Sequence, residues 1–180
     1  MNTNVKYVSI MAIFLGLTAQ LSAHEREQQD SEQEFEVKLR AVNNSGVRGE
    51  VEIKLISETE LRVSIEASGL ETSKPHPQHI HGFNAPLKKS VCPDLSNDGN
   101  GDGVITIGEA APAFGPILIP LAPFDTVDAN GEVNYRASFT INPDSLLPLG
   151  KRTVVLHGMT VNGQYIPSLP VACGEIVLDD

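Results

Sequence analysis

From Phe35 onward, apolar and polar residues alternate along the chain. Phe35, Val37, Leu39 and Ala41 face one way, and after a turn at Asn43 to Gly49 the pattern resumes with Val51, Ile53 and Leu55. Leu61, Val63, Ile65 and Ala67 form a third run that ends at Ser68-Gly69. Successive strand side chains point to opposite faces, so each run places its apolar residues on one side of a sheet. Val133, Tyr135, Ala137, Phe139 and Ile141 alternate most cleanly, and they follow Asp128-Ala129-Asn130-Gly131, which reads as a hairpin turn. Gly115 to Leu121 is apolar, Arg152 to His157 reads as a buried strand, and Val171 to Leu178 reads as the last one. Alternating runs separated by turn residues predict an all-β antiparallel sandwich or barrel. With no internal repeat and no linker, residues 35–180 are expected to form one β-domain.

The first residues follow another logic. Lys6, the apolar run from Val8 to Thr18 and the small residues of Leu21-Ser22-Ala23 have the order of a secretory signal spanning residues 1–23. The apolar run is short for a membrane span, which makes a retained anchor the weaker alternative. Residues 24–34 are polar and aperiodic and are expected to be a disordered leader. Cleavage after Ala23 would expose His24 as an amino-terminal copper chelator, against the simpler reading of an accidental terminal histidine. The chain is therefore expected to be exported, to the periplasm or beyond.

Composition narrows the function classes. The net charge is −10, and loss of Lys6 with the signal makes it one unit more negative. Such acidity argues against nucleic acids and anionic membranes as partners. With no Trp, an aromatic platform for stacked bases is not expected. Cys92 and Cys173 are the only cysteines. An even pair in an exported chain reads as a disulfide, and two free thiols acting as soft metal ligands are the alternative.

Three of the five histidines fall within six positions: His76, His79 and His81. His79 and His81, spaced i and i+2 on a strand, share a face, while Ile80 points to the other. His157 closes the apolar run Val154-Val155-Leu156. A strand pair joined by a third imidazole from a distant strand makes a three-nitrogen metal site; ordinary surface imidazoles are the competing reading. His76 is a candidate fourth ligand, with a satisfied surface histidine as the simpler reading.

Residues 98–109 match a calcium-binding EF-hand loop at every diagnostic position. Asp98, Asn100 and Asp102 stand at positions one, three and five, and Gly103 allows the sharp turn at six. Val104 offers its carbonyl at seven, Ile105 is the apolar residue at eight, Thr106 stands at nine, and Glu109 supplies a bidentate carboxylate at twelve. Pro93 and the polar residues after it make a poor entering helix, and Pro112 is expected to cut the exiting helix to about one turn. This is a single loop set in a β-domain, suited to a structural calcium ion rather than a sensor; an acidic turn that binds nothing is the alternative.

Taken together, these pieces resemble the copper/zinc superoxide dismutase family. Ser68-Gly69-Leu70, His79-Ile80-His81-Gly82-Phe83 and Cys92 are similar to its copper strand and disulfide loop. Gly150-Lys151-Arg152-Thr153-Val154-Val155-Leu156-His157 resembles its late strand, and Leu169-Pro170-Val171-Ala172-Cys173-Gly174-Glu175-Ile176 its terminal strand. The resemblance implies an eight-stranded Greek-key β-barrel with copper on its outer face, held by His79, His81 and His157, and a Cys92–Cys173 disulfide. The departures are as informative. No histidine lies between His81 and His157, where the family places its bridging and zinc histidines, so zinc is not expected. Pro170 stands where the family has a guiding arginine; Lys74, Lys88 and Lys89 are candidate substitutes, against the simpler reading of solvated surface lysines. A His-x-His-Gly strand also gives a looser likeness to chordin-type (CHRD) domains.

Two functions follow from these expectations. One is a copper protein dismuting superoxide slowly or not at all, because the bridging histidine that would relay a proton is missing. The other is a non-catalytic, calcium-stabilised binding or structural module of the extracytoplasmic space.

Overall fold

Strand pairing follows the alternation closely. The structure, a computed structural model, describes residues 32–84, 88–124 and 127–179. The expected signal, its cleavage point and His24 lie outside the described residues. Among the described residues there are nine strands: β1 (Gln33–Ala41), β2 (Arg48–Ser57), β3 (Glu60–Ser68), β4 (Gln78–His81), β5 (Ile117–Pro120), β6 (Val133–Thr140), β7 (Thr153–Val161), β8 (Gln164–Glu175) and β9 (Val177–Leu178). Two helices, α1 (Ile107–Phe114) and α2 (Pro143–Leu146), interrupt them. Every strand pair is antiparallel, and the order is β5-β4-β7-β8-β1-β2-β3-β6, with β9 beside β1.

The sheet curls because β1 serves two halves. Its first seven residues pair with β2, and Arg40 and Ala41 pair with β8. The inner faces of both halves meet in one core, with Val37, Ile53, Leu61 and Ile65 from one side and Ile80, Val154, Leu156 and Val171 from the other. The chain crosses between halves from β3 to β4, back from β5 to β6, and again from β6 to β7, as expected of a Greek-key sandwich or barrel. The barrel is open: β5 and β6 are the two edges of the sheet. Pro116 and Pro120 bracket β5, and a proline has no amide to donate to a further strand.

Several boundaries depart from the sequence reading. β1 begins at Gln33, so the last two residues of the expected leader are strand. Glu34 pairs with Lys54 across β2 at 2.8 Å, and polar residues of this kind suit a solvent-facing ladder. Ala41 is exposed and Val42 is buried instead, where β1 changes partner. The turn at Asp128 to Gly131 forms, with the Gly131 amide on the Asp128 carbonyl, yet it joins no hairpin, since β5 pairs with β4 and β6 with β3. The hairpin that does form there in sequence terms is later: Asn162 and Gly163 both have positive φ and link β7 to β8. β8 therefore starts at Gln164, seven residues before the expected strand. α1 runs eight residues with Pro112 inside it, longer than the single turn expected, because the capping contacts of Glu109 on Thr106 hold its start. Among the described residues, no helix is long and apolar enough to cross a membrane.

A candidate metal centre on the outer face

Period two decides which residues meet outside the core. On β4, Ile80 is fully buried in the core, so His79 and His81 face out. On β7, Val154 and Leu156 point inward, which turns Val155 and His157 outward. The β4–β7 register sets His79 opposite Val155, and the His157 amide donates to the Pro77 carbonyl at 2.8 Å. The pairing of β7 with β8 shifts on both sides of His157, an irregularity that re-aims a side chain out of a regular ladder. Three imidazoles from two strands converge as a result. Their ring centroids are 5.0 to 5.6 Å apart, and one ligand atom from each lies within 4.8 Å of the other two.

The free nitrogens are defined by the bound ones. His81 Nδ1 lies 2.9 Å from the Gly115 carbonyl, and His157 Nδ1 lies 2.9 Å from the Ser168 carbonyl. A carbonyl only accepts, so each Nδ1 carries the proton and each Nε2 is left as a bare lone pair. His79 Nδ1, His81 Nε2 and His157 Nε2 are buried and have no hydrogen-bond partner. Two unpartnered acceptors beside an unpartnered His79 Nδ1 are costly in a folded protein unless a cation or donor meets them. Burial, reinforced by neighbouring His81, lowers the His79 pKa to about 4. Burial, then His79, takes His157 to about 3, against the opposing pull of its Ser168 hydrogen bond. Burial lowers His81 as well. All three rings are neutral at pH 7, the state in which imidazole ligates a metal.

The helix that ends the acidic loop forms one wall of this site. Phe114 is fully buried with its ring 4.4 Å from that of His81. Gly115, which supplies the carbonyl for His81, has φ +81°, and a Cβ there would lie 2.5 Å from the Gly82 carbonyl oxygen. Only glycine lets the end of α1 approach β4 so closely. The segment before the loop adds a second tie: the Ser90 hydroxyl donates to the Phe114 carbonyl at 2.7 Å, and its amide donates to Lys151. Above the histidines lies a cavity of about 480 Å³, walled by Ile107, Ala111, Phe114, Ile117 and Phe124. Among the described residues, no Asp, Glu, Lys or Arg lines it.

The other expected site residues fall as follows. Cys92 and Cys173 are joined in a disulfide. His76 is buried and turned away: its Nδ1 meets the His157 carbonyl at 2.9 Å and its Nε2 the Glu71 carbonyl at 3.0 Å, so neither nitrogen is free to ligate. Lys74 stacks over Tyr165, Lys88 over Phe83, and Lys89 pairs with Glu175; none of the three lines the cavity. Pro170 is buried on β8 and also does not line it.

In the acidic loop the side chains turn onto backbone amides. Asp98 accepts from Gly101 and Gly103, Asn100 from Asp102, Asp102 from Val104, and Glu109 from Gly99 and Thr106. The amide and hydroxyl of Thr106 hold the Glu109 carboxyl below the usual range. Among the described residues, Asp98, Asp102 and Glu109 do not reach the mutual closeness of the histidines. Asn43 is a contributor that the sequence reading overlooked. Its side-chain amide takes both backbone groups of Ile105, accepting at 2.7 Å and donating at 3.0 Å, and so pins the loop to β8. Asn43, the Gly115 and Ser168 carbonyls and Phe124 had no spacing signal to reveal them, since each acts through a long-range approach.

No protein-family model matches the chain, and no curated protein matches it by sequence. Among solved structures, a superoxide dismutase-like protein from Bacillus subtilis is 17% identical, with a TM-score of 0.48, covering 79% of this chain and 97% of that one. Copper(II)-bound superoxide dismutase 5 of Candida albicans is 16% identical, with a TM-score of 0.41 and coverage of 83% and 94%. The clock protein EA4 is 16% identical, with a TM-score of 0.47 and coverage of 80% and 93%.

Proposed function

We propose that the protein is an exported metal-binding protein whose three-histidine site takes copper without a companion zinc. The observation that carries this reading is the set of three buried, unpartnered imidazole nitrogens on His79, His81 and His157. Imidazole nitrogens suit copper in both oxidation states, and three of them leave a coordination position open. When bound, copper would supply one-electron exchange with a small oxidant such as superoxide. The chain itself holds the three rings neutral and fixes two of them through the Gly115 and Ser168 carbonyls, as carbonyls that accept from the other ring nitrogen do for metal-bound histidines. It offers no histidine between His81 and His157 to relay a proton, so any dismutation is slow. The disulfide supports export, since such bonds persist in oxidising compartments.

Calcium belongs to the same proposal as a structural ion in residues 98–109, where the twelve-residue spacing and the inward-turned Asp98, Asn100 and Asp102 support it. Calorimetry should detect calcium uptake that Glu109→Gln weakens by about tenfold or more; no uptake by the unmutated protein would remove calcium from the reading. For copper, electron paramagnetic resonance of the copper-loaded protein should show nitrogen ligation that changes in His157→Ala. Identical spectra would discard His157 as a ligand. A superoxide assay then separates a slow enzyme from a binding module, the latter showing no turnover above free copper.

A further inference from the structure

We propose that the cavity over the three histidines binds a small uncharged aromatic molecule carrying one hydroxyl, a phenol, in preference to an anion. It concerns the metal-free site and stands independently of whether copper is bound there.

The walls decide the class of ligand. Ile107, Ala111 and Phe114 come from one helix, Ile117 from β5, and Phe124 from the segment after it. Phe124 presents edge to face against His79, with centroids 5.5 Å apart at 82°, the arrangement that aromatic rings prefer and that a further ring can extend. A volume of about 480 Å³ is in the range of small-molecule pockets. Ile107 and Ile117 stand half-exposed, at 39% and 52%, so apolar surface also faces a ligand as it enters.

The floor decides its polar group. His81 Nε2 and His157 Nε2 are acceptors with nothing to accept from. A phenolic O–H donates to such a nitrogen while its ring stays on the apolar wall. A carboxylate or azide meets lone pairs, finds no cation among the lining residues, and enters a protein of net charge −10. Burying an anion under those terms is unfavourable. Copper, when bound, would occupy these same nitrogens, so the phenol is assigned to the metal-free site.

The test uses the full chain, first stripped of metal with a chelator and then loaded with copper. Titration of metal-free protein with p-cresol, followed by NMR of the histidine rings, should shift the His157 and His81 resonances. Benzoate and azide should bind at least about tenfold more weakly. Ile117→Lys places a cation at the exposed rim and should reverse the order of p-cresol and benzoate. Failure of p-cresol to shift the histidine resonances, an equal or stronger response to the anions, or an unchanged preference in Ile117→Lys would each overturn the proposal. Copper content of the loaded protein, measured separately by metal analysis, reports on the metal reading, so loss of one reading is not mistaken for loss of the other.

Discussion

Replacing both Cys92 and Cys173 by alanine should destabilise the fold by about 5.5 kcal/mol. The bridge joins positions 81 residues apart. Closing a loop of that length removes enough chain entropy from the unfolded state to contribute about 4.5 kcal/mol. Cys173 is also 2% exposed and packs with Val42, Ala110, Phe114 and Val155, so truncation to alanine adds about 1 kcal/mol of lost contact. For a domain of this size the melting temperature should fall by roughly 10–20 °C. Urea unfolding of the double variant is the direct assay, with the reduced unmutated protein as a second arm that should fall by a similar amount. The denaturant slope should rise, because an uncrosslinked unfolded chain exposes more surface. A loss below about 1.5 kcal/mol with an unchanged slope would refute the reasoning, since the unfolded state would then not feel the crosslink. The metal site should respond too: residue 91 donates to the Ala113 carbonyl one step from the bridge, so the end of α1 that supplies the Gly115 carbonyl is tethered through it.

Two further outcomes are expected. In metal-free protein, His79 and His157 titrate near 4 and 3, below the ordinary value of 6.5, so on acidification the unfolded chain takes up protons first. Stability should be full above about pH 6.5 and fall by on the order of 3 kcal/mol toward pH 4, after discounting His79 for its partial exposure; urea midpoints measured against pH check this, and a rise in stability on acidification would contradict it. Asn43→Ala leaves the amide and carbonyl of buried Ile105 without their side-chain partner and should cost about 1–3 kcal/mol, read from thermal melts; a variant as stable as the parent would show that Asn43 does not hold the loop.

The part of this protein legible from its sequence is the part governed by local periodicity. Alternation by itself put Ile80 on one face and His79 and His81 on the other, because a strand's side-chain period is two whatever its partners are. The same rule separates Val154 and Leu156 from His157. The presence of only two cysteines was likewise enough to pair them. The Asn162-Gly163 hairpin was written in the sequence as well, as two residues suited to positive φ between apolar strands, while Asp128 to Gly131 carried the same kind of signal without a hairpin behind it. Turn chemistry bends the chain; which strand it then meets depends on contacts far along it.

What only the tertiary structure decided follows from that dependence. The open edges at β5 and β6, the packing of α1 over the histidines and the approach of Gly115 to Gly82 are all set by which surfaces bury each other. The two carbonyls that fix His81 and His157 belong to Gly115 and Ser168, and a backbone carbonyl is present at every residue. No residue type marks it in advance. The acceptors that define the site are therefore visible only once the chain has brought position 115 to position 81 and position 168 to position 157.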